Sequence, residues 1–203
     1  MPPRSDITGF VLAGGKSRRM GTDKAQIPWD AGTLLTHAVD RMEQVVKEVF
    51  VVGGPGTGSQ ETIPDSQHDS GPLAGIDAAL ARTNTEWNLF LALDLPLISS
   101  ALLELLGKGT ATQAGVVVPR VVGALQPLCA VYRRTLRPVC RERLQAGDLS
   151  ILRLLAGVET RIMEEDELRS HGFTPEMFLN VNTPQDLARA RQIAVHTASA
   201  AEK

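Results

Sequence analysis

Four cations crowd into residues 16 to 24: Lys16, Arg18, Arg19 and Lys24 stand just behind the pair Gly14-Gly15. From residue 9 to 25 the chain reads GFVLAGGKSRRMGTDKA, a short apolar run that breaks at the glycines, as a buried strand emptying into a loop would. Without Cβ atoms such a loop lets backbone N–H groups approach a phosphate closely, and the guanidinium and ammonium groups neutralise charge that backbone dipoles alone would leave. An anion is the expected ligand. The loop is not a Walker A motif, because five residues rather than four separate Gly9 from Gly15-Lys16-Ser17, and no G-x-G-x-x-G is present. A plain strand-to-helix turn with a solvated basic face would carry the same residue types.

Acids and amides follow at intervals. Asp94 comes just after the apolar run Asn88 to Leu93, in Asp94-Leu95-Pro96, which places a carboxylate past the carboxyl end of a strand, the edge where open α/β sheets bind ligands. A triphosphate must be partly neutralised before a second anion can approach it, and Mg²⁺ held by one or two carboxylates does this. Asp94 would equally suit a helix N-cap, since it precedes Pro96 by two. Asp65 and Asp69 precede Gly71-Pro72-Leu73-Ala74-Gly75 and compete for a second acidic role, or are simply solvated. Alternation puts Asn180 and Asn182 on one side of a short strand with Val181 opposite, although Asn182 could merely precede a helix cap. Cys129 and Cys140 lack metal-ligand spacing, the four histidines are scattered, and no Ser-His or Cys-His pair is evident.

The elements that must position these groups alternate. Phe10 to Leu12, Val49 to Val52, Thr62 to Asp65, Asn88 to Leu93, Gly115 to Pro119, Leu128 to Tyr132, Thr160 to Met163 and Phe178 to Val181 read as strands. Helical spacing or helix-start chemistry marks 33 to 47, Gly71 to about Ala81, 99 to 106, Thr135 to Gln145 and Ser150 to Ala156. Thr183-Pro184-Gln185-Asp186 launches a last helix to about Val195. The expected fold class is α/β: one doubly wound, mostly parallel sheet with helices on both faces, forming a single domain over 1–203 with about 1–7 and 197–203 frayed.

A chain of 203 residues can bury a sizeable core. Its net charge of −2 argues against a nucleic-acid surface and for a small phosphate partner. The start, MPPRSDITG, has no apolar signal region, and no stretch reaches the roughly 18 apolar residues of a membrane span, so the expected home is the cytoplasm.

The string from Leu12 to Lys24, Leu-Ala-Gly-Gly-x-Ser-x-Arg-Met-Gly-x-Asp-Lys, resembles the signature of nucleotidyltransferases, and in particular of the molybdenum cofactor guanylyltransferases. Cytidylyl and sugar-nucleotide relatives usually read Leu-Ala-Ala-Gly, so Gly14 is the informative position. Phe178 to Asp186, Phe-Leu-Asn-Val-Asn-Thr-Pro-x-Asp, is similar to the same family's C-terminal motif, and Gln126-Pro127-Leu128 with Ala130 to Arg134 also looks familial.

The resemblance implies a Rossmann-like nucleotidyltransferase fold and transfer of GMP from GTP to the terminal phosphate of molybdopterin, with Mg²⁺ as cofactor. It implies a metal ligand at Asp94, where Leu95 stands in place of the more usual methionine. Arg19 would face the departing pyrophosphate and Lys24 the α-phosphate. Leu12, Ala13, Gly14 and Gly15 would hold the base, Asp65 the nucleotide, and Asn180 and Asn182 the pterin. Molybdoenzymes or their chaperones would receive the product. Three rivals stay open: a molybdopterin cytidylyltransferase, a sugar-phosphate nucleotidyltransferase, and a GTP-binding partner protein without turnover.

Overall fold

Along each central strand, side chains alternate between two separate apolar clusters, so the sheet they form is covered on both faces. Val11, Val51, Leu89, Leu91, Val117 and Val131 point one way; Phe10, Phe50, Phe90, Val116, Ala130 and Tyr132 point the other. The computed structural model describes residues 2–14, 23–54, 61–64 and 70–201. Its elements run in the order β1 (Arg4–Leu12), β2 (Pro28–Trp29), β3 (Gly32–Thr33), α1 (Leu34–Glu43), β4 (Val46–Val52), β5 (Thr62–Ile63), α2 (Gly71–Arg82) and β6 (Trp87–Ala92). There follow α3 (Ser100–Lys108), β7 (Val116–Val121), β8 (Ala124–Leu125), β9 (Cys129–Arg133), α4 (Arg137–Gln145), α5 (Ile151–Ala156), β10 (Thr160–Met163), α6 (Glu165–Ser170) and α7 (Pro184–Ala201).

The sheet order is β10-β7-β9-β6-β1-β4-β5, with β8 paired to β7. Strands β6, β1, β4 and β5 are mutually parallel, as are β7 and β10, while β9 runs antiparallel to both its neighbours. The sheet is therefore mostly parallel, as expected. Helices α1, α3, α6 and α7 send apolar side chains into the first cluster, and α2, α4 and α5 into the second. Across the second face Phe10 stacks between Phe50 and Phe90 at 5.6 and 5.2 Å, and Phe90 meets the Tyr132 ring edge-on at 5.4 Å. One aromatic row thus ties β4, β1, β6 and β9 together. In register Leu12 lies beside both Val52 and Ala92, so the carboxyl ends of β1, β4 and β6 reach the same edge.

Several elements differ from the sequence expectation. Residues 178–181 are not a strand: Phe178 ends a 3-10 turn, Pro175–Phe178, and the Val181 N–H donates to the Asp94 carbonyl instead of to a sheet neighbour. Helix α6 escapes periodicity because Leu168 is its only buried residue, and its start is marked by Glu165, Asp166 and Glu167, which suit a helix N-terminus. Helix α1 stops at Glu43, since Val46 already belongs to β4. Strand β1 begins at Arg4, whose N–H donates to Val45, and the alanine-rich end of α7 stays helical to Ala201.

Candidate active site

At the edge shared by β1, β4 and β6 the backbone is laced together before any side chain enters. The Leu93 N–H donates to the Leu12 carbonyl at 3.1 Å, and the Ala13 N–H to the Val52 carbonyl at 2.9 Å. Gly54 closes against this turn, and a Cβ there would stand only 2.6 Å from the Ala13 Cβ. Leu12 and Ala13 are thereby fixed between two loops, and Gly14 beyond them is exposed.

Asp94 is the second residue past β6. Its carbonyl accepts from Val181, and the Leu95 N–H turns back to Ala92 at 3.2 Å. Its side chain is 24% exposed, with one carboxylate oxygen 3.6 Å from the Lys24 ammonium. Lys24 opens a one-turn 3-10 helix that Asp23 caps by accepting the Ala25 N–H at 3.0 Å. The same ammonium donates to the Asn182 side-chain oxygen at 2.6 Å. Residues far apart in the chain, Lys24, Asp94 and Asn182, therefore meet at one point.

Asn182 is held in turn by the start of α7. Asp186 accepts from the Asn182 and Thr183 N–H groups at 3.1 and 2.9 Å, and its own N–H donates to the Thr183 hydroxyl at 3.1 Å. The Thr183 contact, then the Asn182 N–H and the more distant Lys24 charge, hold the Asp186 carboxyl below the usual carboxylate range. Asn180 does not join Asn182. It is exposed, and its amide reaches only back to the Phe178 carbonyl, at 3.5 Å. With residues 178–181 outside the sheet, the alternation expected to align the two amides does not apply.

The chain matches the MobA-like NTP transferase domain over residues 9–162. It is 32% identical over 89% of its length to a protein of Flavobacterium johnsoniae described as a probable molybdenum cofactor guanylyltransferase, covering 94% of that protein. A protein of the same description from Pelotomaculum thermopropionicum is 33% identical, over 92% and 93% of the two chains. The chain belongs to the MobA-like NTP transferases. In fold it resembles the molybdopterin-guanine dinucleotide biosynthesis protein A of Archaeoglobus fulgidus, with a TM-score of 0.82 at 24% identity, covering 93% of this chain and 99% of that one.

For a MobA-like transferase the described geometry covers part of the expected site. Lys24, Asp94 and Asn182 meet, and the Leu12 carbonyl accepts from Leu93, the neighbour of Asp94, with Ala13 and Gly14 next in the chain. Gly15, Lys16, Arg18 and Arg19, and the acids Asp65 and Asp69, lie outside the described residues. Asp186, Gly54 and His37, which donates from Nε2 to the Pro96 carbonyl at 3.0 Å, were not singled out from the sequence. Asp186 enters the sequence reading as part of a cap and as the end of the C-terminal motif; the Asn-Thr-Pro-x-Asp spacing signals its bond to the Asn182 N–H, whereas a lone histidine inside a helix carries no such signal. Cys129 and Cys140 are buried free thiols, both pushed up to about 12 by burial, which makes neither a nucleophile. Among the described residues no helix is long and apolar enough to cross a membrane.

Proposed function

We propose that this chain, acting as one nucleotidyltransferase domain, transfers GMP from GTP to the terminal phosphate of molybdopterin. A phosphate oxygen of the acceptor attacks the α-phosphorus in line, the bond from that phosphorus to the bridging oxygen breaks, and pyrophosphate leaves with the electron pair. The product is the molybdopterin guanine dinucleotide. The observation that carries this is the meeting of Lys24, Asp94 and Asn182 beside the Leu12–Gly14 turn. No covalent intermediate on the protein is needed, so positioning and charge neutralisation do the work.

Lys24 is assigned to the α-phosphate, because a mobile point charge already poised among polar partners can follow the transferring group. Arg19 is assigned to the pyrophosphate, which its planar fork can grip at two oxygens. Asp94 suits a divalent cation: it is a hard oxygen donor, partly open, and Lys24 at 3.6 Å neutralises it without a close hydrogen bond. Phosphate oxygens and water would share the shell of a Mg²⁺ held there, as that ion prefers. When bound, Mg²⁺ would offset charge on the phosphates and on the departing pyrophosphate.

Guanine choice is assigned to the backbone of Leu12 to Gly15. The Leu12 carbonyl already accepts from Leu93, which moves the weight to Ala13 and Gly14 for the N1–H and N2–H donors of the base. Asp65 is kept as a nucleotide contact and Asn180 and Asn182 as pterin contacts. The reaction is placed in the cytoplasm, with molybdoenzymes or their chaperones taking the product and no role for nucleic acid.

The test is one incubation of the protein with molybdopterin, Mg²⁺ and labelled GTP or CTP, followed by identification of the dinucleotide. Guanine dinucleotide with pyrophosphate supports the assignment. A cytosine product, turnover only with sugar phosphates, or GTP binding without pyrophosphate release would each overturn it.

A further inference from the structure

The loop carrying Asp94 is braced from α1. His37 directs Nε2 at the Pro96 carbonyl oxygen, 3.0 Å away, and because a carbonyl only accepts, the ring carries a proton on that nitrogen. Its Nδ1 lies 3.4 Å from an Asp30 carboxylate oxygen, the Trp29 ring stands edge-on at 5.9 Å, and the side chain is only 13% exposed. The imidazole is thus wedged between a helix that packs on the sheet and the loop beyond β6.

The loop's other restraints leave a gap that this contact fills. Leu93 is bonded to Leu12, Leu95 to Ala92, Ile98 to Leu95, and the Asp94 carbonyl to Val181. Pro96 has no N–H to give, so its carbonyl is the backbone handle left at that position. We propose that His37 is a positioning residue for the transfer: by holding the Pro96 carbonyl it sets the direction in which Asp94 presents its carboxylate toward Lys24. This rests on the assignment of Asp94 to a divalent cation. The physical stake is alignment, since a displacement of about 1 Å at a reacting centre can cost on the order of 10²-fold in rate.

If His37 merely filled space, leucine would replace it without consequence to the loop. The experiment compares the full-length wild type with His37→Leu, which keeps bulk but loses the donor, and His37→Gln, whose amide can still donate to Pro96. Amide hydrogen exchange over residues 93–98 reads the loop, Mn²⁺ titration in the presence of GTP reads the acid, and initial rates separate kcat from KM.

For His37→Leu the expected outcome is exchange at Leu95 and Ile98 faster by about tenfold, weaker Mn²⁺ binding, and kcat lower by about tenfold with KM for GTP changed less than about threefold. His37→Gln should recover most of each, even where both variants melt lower than wild type. Unchanged exchange and kcat in His37→Leu would overturn the proposal, as would a glutamine variant no better than leucine at matched stability. Asp94→Asn run alongside tells the two failures apart. If it binds Mn²⁺ and turns over as wild type does, the metal assignment falls, and the positioning role falls with it. If it loses both while His37→Leu does not, only the role of His37 is wrong.

Discussion

The Lys24 ammonium lies between an amide oxygen at 2.6 Å and a carboxylate oxygen at 3.6 Å, a balance that a phosphate can shift. Asp94 makes a poor structural ion pair at that distance, being partly exposed, and pairs of this kind contribute about 0–1 kcal/mol. Asp94→Asn should therefore leave the melting temperature within a few degrees of wild type while abolishing Mg²⁺-dependent pyrophosphate release. Release that persists in the asparagine variant at wild-type rate would remove Asp94 from the metal site.

With guanine choice assigned to the Leu12–Gly15 backbone, Gly14→Ala is expected to lower kcat/KM for GTP by about tenfold or more, because it adds a methyl group at the exposed Gly14. Equal GTP turnover after that change would move base selection elsewhere. His37 contributes a pH effect of definite sign. Burial first, then the Arg41 charge, lowers its pKa from 6.5, against the opposing pull of the Pro96 carbonyl and of Asp30 and Asp40. Below 6.5 the unfolded chain takes up a proton that the folded chain resists, so stability declines as pH falls through that window and is regained above it. Melting curves between about pH 5 and 8 should show a shallower acid-side decline in His37→Gln than in wild type. Parallel curves would show that His37 does not titrate as stated.

At the scale of elements, the aromatic row through Phe50, Phe10, Phe90 and Tyr132 connects four strands where the sheet's carboxyl edge must stay aligned. Phe90 is fully buried with ring partners on both sides, so Phe90→Ala should cost about 3–5 kcal/mol in urea unfolding, and a loss below about 1 kcal/mol would mean the row is not what holds the sheet. Strands β1, β4 and β6 were legible in the sequence because each is a short apolar run ended by glycine or by Asp94, whereas β9 ends at Arg133. The start of α7 was legible from Thr183-Pro184-Gln185-Asp186.

What was not legible depended on partners distant in the chain. Phe178 to Asn182 alternates like a strand, yet the Val181 N–H is taken by the Asp94 carbonyl, a contact no local pattern announces. Helix α6 carries too few apolar residues to show a period. For the site, residue types pointed to Lys24, Asp94 and Asn182, while their meeting required the register that sets Leu12 beside Ala92 and brings the chain back past β10 to lay 180–182 against the loop after β6.

At the scale of the whole molecule, Lys24, assigned to the nucleotide, and Asn182, assigned to the acceptor, share a hydrogen bond across 158 positions of sequence. A second tie runs parallel to it, as Arg191 on α7 donates to the Pro28 carbonyl at 2.7 Å, clasping the hairpin that follows Lys24. If Asn182 only met the pterin and Lys24 only met GTP, their mutational effects on kcat/KM would add, since independent sites usually add within about 0.3–0.5 kcal/mol. Because they share a hydrogen bond, Lys24→Ala, Asn182→Ala and the double variant should give an interaction free energy of about 1–2 kcal/mol, the double variant being less impaired than the sum. Asn182→Ala alone should then weaken GTP use as well as acceptor use, since the ammonium assigned to the α-phosphate loses its hydrogen-bond partner. A cycle that closes to additivity, measured with GTP as the varied substrate at saturating molybdopterin, would show that the bond does not couple the two halves of the reaction.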